Sequence, residues 1–72
     1  MSNEKHIKLN SIWKYNYYNK NSSYSEIKHV IITDIKYSEY NIMDKVFYRN
    51  ISTGHIESRF PQDFLYWYTH VQ

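Results

Sequence analysis

Apolar and polar residues alternate with a period of two through much of this chain, most cleanly between residues 45 and 60. Val46 and Tyr48 alternate with Phe47 and Arg49, and Ile56, Ser58 and Phe60 alternate with His55, Glu57 and Arg59. A period of two marks strands with one covered face. Ser52, Thr53 and Gly54 lie between the two runs, and Gly54, the single glycine, stands where a tight hairpin needs a positive φ. The expectation is a hairpin with Val46, Tyr48, Ile56 and Phe60 turned into the core. Pro61 then removes a backbone donor and fixes φ, which ends the second strand, and Asp63 suits the first turn of a helix. Residues 61–65 are expected to form one short helical turn, with Phe64 and Leu65 capping the core.

The same reading extends in both directions. Residues 27–37, IKHVIITDIKY, are rich in β-branched side chains and make the longest predicted strand. Strict alternation puts Ile27, His29, Ile31, Thr33 and Ile35 on one side, and Val30 and Ile32 on the other. A long, bent strand shared by two small sheets has this pattern. Residues 11–18, SIWKYNYY, are expected to be extended, with Trp13, Tyr15 and Tyr17 on one face. Residues 66–71, YWYTHV, are expected to be extended too, with Trp67, Thr69 and Val71 opposed to Tyr66, Tyr68 and His70. Residues 19–25 and 38–44 read as loops, the second with Ile42 and Met43 as plugs. Residues 1–10 are polar and unpatterned, so a flexible N-terminus is expected before a single domain spanning 11–72.

Five short strands with one helical turn before the last define an all-β fold, a small, partly open five-stranded barrel. The layout resembles small SH3-like β-barrel proteins of bacteria and phages, mostly families of unknown function. The resemblance rests on an early Trp13, the β-branched run Val30 to Ile35, Val46-Phe47-Tyr48, the Thr53-Gly54 turn, and Pro61 shortly before Phe64-Leu65. It implies an SH3-like barrel and transfers no functional site.

At 72 residues without a cysteine, the chain has neither disulfides nor a thiolate metal site to staple it. Aromatic packing or association must compensate, and nine Tyr, three Phe and two Trp are on hand. The expected core of Trp13, Ile31, Ile35, Val46, Tyr48, Ile56, Phe60, Phe64 and Leu65 leaves many of these rings over. Surplus aromatics of this kind mark interfaces. The predicted partner-binding residues are Tyr15, Tyr17, Tyr18, Tyr66, Trp67 and Tyr68, with Arg49 and Arg59 at the rim.

Chemistry-bearing patterns are sparse. His6, His29, His55 and His70 show no i, i+2 or i, i+4 pair, so no metal site is expected. Ser, His and Asp are all present without a nucleophile elbow or a glycine-rich phosphate loop, so no catalytic or cofactor-binding residue is assigned and an enzyme is not expected. The net charge of +2 is split into +3 over residues 1–28 and −1 over residues 29–72. That excess permits phosphate contact without demanding it. The expected function is a non-catalytic binding protein that engages another protein through its aromatic surface, with a homodimer as a further option. The alternative is a nucleic-acid-binding barrel whose Tyr and Trp stack on bases while Lys and Arg contact phosphates. No apolar run approaches the roughly 18 residues of a membrane span, and the opening MSNEKHIK lacks a signal peptide's apolar core, so the cytoplasm is the expected compartment. Ile, Lys, Asn and Tyr fill 32 of the 72 positions. That bias fits an AT-rich genome, hence an expected accessory protein of a phage or mobile element acting on a host protein in the host cytoplasm.

Overall fold

Val30, Ile31, Ile32 and Thr33 carry branched Cβ atoms that favour extended backbone, and the strand they build lies at the centre of the sheet. The computed structural model describes residues 3–17 and 28–72; the predicted loop 19–25, together with Tyr18 and Ile27, lies outside them. The elements are a 3₁₀ turn at Asn3–His6, β1 (Ile12–Tyr15), β2 (His29–Tyr37), β3 (Met43–Asn50), β4 (Ile56–Arg59), α1 (Pro61–Trp67) and β5 (Tyr68–His70). The strands form one antiparallel, unclosed sheet in the order β4-β3-β2-β1-β5, so the first and last strands are neighbours. The structure is a small, mostly β fold with one short helix.

Strict alternation fails in β2 at one place. Ile32 pairs with Tyr48 and Asp34 with Phe47, so Thr33 is an extra residue and the strand bulges there. Val30 and Ile32 therefore point into the core, and past the bulge Ile35 joins the same face opposite Val46. Of the two β2 residues expected in the core, Ile35 packs on it while Ile31 is half-buried on the other side, and Thr33 is exposed.

The hairpin forms where Gly54 predicts it, with φ at +77°. Its register is set by Asn50. The Asn50 side-chain oxygen accepts the N–H groups of Ser52 and Thr53, its carbonyl accepts the Gly54 N–H, and its N–H donates to the His55 carbonyl. Closing the turn on the Asn50–His55 pair places Glu57 opposite Tyr48 and Arg59 opposite Val46. Glu57 and Arg59 thus take the inner face, and Ile56 and Phe60 turn outward at 60% and 62% exposure, against the expectation that they are core. A one-residue change of parity moves every side chain of a strand to the other face.

The helix is longer than expected. Phe60 at the N-cap is extended, Pro61 supplies the first turn without losing a bond, Asp63 sits at its positive end, and the Tyr68 N–H closes the last turn on the Phe64 carbonyl. Tyr66 and Trp67 are consequently helical rather than extended, and the last strand starts at Tyr68. Phe64 is the buried helical residue. Its ring lies against Trp13 at 5.0 Å, Tyr48 at 5.1 Å and Tyr68 at 4.7 Å, which makes the core largely aromatic.

Residues 3–10, expected to be flexible, contribute to that core. Ile7 is buried, the Asn10 N–H donates to the Ile32 carbonyl, and Ser11 ties the Lys8 carbonyl to the Trp13 indole N–H. The His6 ring stacks on His70 at 4.2 Å, and His70 meets the edge of Trp13. Desolvation, then His70, Lys5 and Lys8, hold the His6 imidazole below its ordinary value of 6.5. The unfolded chain then takes up a proton more readily than the folded one, so stability is full above that value and falls as pH drops through it toward the folded value. Melting temperature is expected to decline from about pH 7.5 to about pH 5, and His6→Ala is expected to flatten that decline. Parallel curves for the two proteins would contradict it.

Candidate aromatic interface

Tyr15 ends β1 opposite Tyr68, and the chain just beyond is held by Asn16. The Asn16 N–H donates to the Trp67 carbonyl at 2.8 Å and its side-chain amide to the Tyr66 carbonyl at 3.1 Å, while its side-chain oxygen accepts the Thr69 hydroxyl. One residue thereby clamps the exit of β1 to the junction of α1 and β5. Tyr17 is left beside the last turn of the helix.

Among the described residues, four rings gather there. Trp67 stacks on Tyr15 at 6.0 Å and 6°, meets Tyr17 edge-on at 5.0 Å, and lies 4.9 Å from Tyr66. Tyr17 also stacks on Tyr66 at 6.0 Å. Edge-to-face and offset contacts of this kind each stabilise a ring pair by about 0.5–1.5 kcal/mol beyond area burial. Tyr17 and Tyr66 are 46% and 61% exposed, and Tyr15 and Trp67 are half-buried beneath them. The patch thus has a floor continuous with the core and an outer layer open to solvent. The Tyr17 phenol is pushed above its usual range, first by its hydrogen bond with Tyr66 and then by desolvation.

Among the described residues, two cations stand over rings of the patch, and both are paired. The Lys28 ammonium lies 5.4 Å over the Tyr15 ring and 3.7 Å from Glu57. The Arg59 guanidinium lies 5.6 Å over Trp67, donates to the Tyr48 hydroxyl at 2.9 Å and binds Asp63 at 3.0 Å. Asp63 in turn accepts the Trp67 indole N–H. Behind them the Tyr48 hydroxyl donates to Glu57 at 3.1 Å; burial chiefly, and the adjacent Tyr68, raise it above the usual phenol range while Arg59 opposes.

Of the predicted partner-binding residues, Tyr15, Tyr17, Tyr66, Trp67 and Arg59 come together. Tyr68 does not belong to the surface: it is 1% exposed and part of the core, and its hydroxyl has no hydrogen-bond partner among the described residues. Arg49 is exposed on the outer face, paired in register between Ile31 and Ile56, with its side chain turned away from the face that Val46 and Tyr48 cover. Tyr18 lies outside the described residues. The sequence reading missed Asn16, the clamp, which carries no pattern of its own, and Asp63 as the link between Arg59 and Trp67. The link was visible as spacing, since Asp63 stands four residues from each.

Comparison with protein-family models, curated proteins and solved structures finds no match. Among the described residues, no group of three or more His, Asp or Glu side chains is placed to hold a metal ion, and no helix is long and apolar enough to cross a membrane. A second, shallower feature is a hollow of about 290 Å³ lined by Glu4, Ile42, Met43, Asp44, Phe60, Pro61 and Gln62. Met43 packs on the core as the first residue of β3 rather than as a plug in a loop over 38–44, and Ile42 is exposed.

Proposed function

We propose that this chain is a non-catalytic binding protein that engages a protein partner through the face formed by Tyr15, Tyr17, Tyr66 and Trp67. One observation carries the reading: a solvent-open cluster of four rings whose bordering cations are already neutralised by Glu57 and Asp63. Phosphate recognition needs cations with unused charge, whereas rigid aromatic anchors with a satisfied polar rim suit a protein surface. The fold we propose is an SH3-like barrel. The strand order with β5 beside β1, the bend of β2 at Thr33 and the helical turn before the last strand support it. The composition supports an accessory protein of a phage or mobile element, and hence a host protein as the partner.

Affinity capture from a bacterial lysate, with and without nuclease, tests the reading when the parent chain is compared with a Tyr17→Ser/Tyr66→Ser double variant. The expected result is a protein retained by the parent after nuclease treatment, held through moderate salt and absent from the variant. Recovery of nucleic acid alone, released steeply by salt, would overturn it in favour of a nucleic-acid-binding barrel.

A further inference from the structure

The outer side of β4 (Ile56–Arg59) is one end of the sheet, and among the described residues no strand pairs with it. Its backbone chemistry follows from the turn. Because the Asn50 N–H bonds the His55 carbonyl, the alternation of antiparallel ladders assigns the backbone groups of Glu57 and Arg59 to β3. Those of Ile56 and Ser58, and the N–H of Phe60, point outward. A row of outward donors and acceptors is a template for a further strand.

The side chains along this edge are complementary to their own reverse order. Ile56, Glu57, Ser58, Arg59 and Phe60 run apolar, acidic, small, basic, apolar, so Ser58 is the centre of a self-complementary segment. We infer that β4 pairs antiparallel with β4 of a second copy of this chain about a twofold axis at Ser58. In that register Ser58 meets its own counterpart and exchanges two backbone bonds with it. Ile56 faces the second copy's Phe60, again through outward backbone groups, and Glu57 stands opposite the second copy's Arg59, opposite charges in register while each keeps its own in-chain partner, Lys28 or Asp63. The register that matches charge is therefore also the one that matches donors to acceptors. It also covers Ile56 and Phe60, large apolar side chains left mostly exposed on the outer face.

A contact of this kind is isologous and closes on itself, giving a dimer rather than a filament. The other edge, β5 (Tyr68–His70), has three residues and no complementary charge pair. Because β4 itself is four residues long, the interface falls at the small end of specific contacts, and self-association is expected to depend on concentration. The inference shares the rim residues Glu57 and Arg59 with the aromatic face but none of its rings, so substitutions at Ser58 and at Tyr66 test the dimer and the proposed partner face separately.

Sedimentation velocity over a concentration series reads the dimer directly. Ser58→Pro removes an outward N–H that the β3 ladder does not use, and Ser58→Lys sets like charges against each other on the axis. Loss of the dimer in both, with far-UV circular dichroism and melting unchanged, is the expected result; Ser58→Lys alone decides should the proline distort the strand. Directly opposed residues of a bonded pair lie about 5.5 Å apart between Cα atoms, within disulfide reach. In this cysteine-free chain, Ser58→Cys is therefore expected to oxidise to a covalent dimer far faster than Ser52→Cys in the exposed turn. A monomer at every concentration with equal oxidation of the two cysteine variants would overturn the inference. So would self-association that survives Ser58→Lys, or that is abolished by Tyr66→Ala instead.

Discussion

Trp13→Ala is expected to leave the protein largely unfolded at ambient temperature. The indole is fully buried, lies edge-on to Phe64 and His70, and donates its N–H to Ser11, which also holds the Lys8 carbonyl. Removing it opens a cavity at the meeting point of β1, β5, α1 and the N-terminal turn. Truncating a buried Trp to Ala costs about 3–5 kcal/mol. A domain of this length has a total stability of roughly 4–10 kcal/mol, and small, disulfide-free domains fall toward the lower part of that range. The loss is therefore comparable with the whole. Trp13→Phe, which keeps most of the ring volume and gives up only the hydrogen bond and part of the packing, is expected to stay folded with about 1–2 kcal/mol less stability. Urea denaturation followed by far-UV circular dichroism checks both, and an alanine variant melting within a few degrees of the parent would show that the core is centred elsewhere.

Much of this framework was legible because single residues with strong local preferences stand at its corners. Gly54 marks the turn, Pro61 the end of β4 and start of α1, and the alternation of Val46 and Tyr48 the inner face of β3. What could not be read were choices of parity. One extra residue at Thr33 exchanges Ile31 for Ile32 on the core face, and nothing in a run of β-branched residues signals a bulge. Likewise, the Asn50 side chain selects the turn that sends Ile56 and Phe60 outward, overriding the apolar pattern of β4. The inverted strand is tolerated because Glu57 and Arg59, brought inside, find the Tyr48 hydroxyl as a common partner.

The aromatic surplus was legible as a surplus, and the pairing of β1 with β5 gathers it at one place. Its division between core and surface was not. Tyrosine is chemically suited to both, and Tyr68 and Tyr66 differ only in that α1 runs on through Trp67, which turns one into the core and the other to solvent. Ile7 escaped notice for a related reason: a single apolar residue in a polar segment has no periodicity, and only the fold supplies its neighbours.

Trp67→Ala and Tyr66→Ala are expected to separate the fold of the aromatic face from its use. Trp67 is the hub. It touches Tyr15, Tyr17, Tyr66 and the Arg59 guanidinium, and its indole N–H is held by Asp63. Its loss removes the half-buried floor of the patch and is expected to cost about 2 kcal/mol of stability, roughly half the range for a fully buried Trp. Tyr66 is mostly exposed and touches only Tyr17 and Trp67 among the rings, so its truncation is expected to cost about 1 kcal/mol, clearly less than that of Trp67. For the captured partner the order differs. As central anchors of an interface, both rings are expected to contribute about 2 kcal/mol or more, a loss of affinity of roughly 30-fold for either variant. Denaturant midpoints set beside calorimetric or surface-based affinities for the same variants give the two readouts. Tyr66→Ala is the decisive one: a small loss of stability with normal partner affinity would mean that the exposed rings merely cover a thin core, and would remove this face from the function.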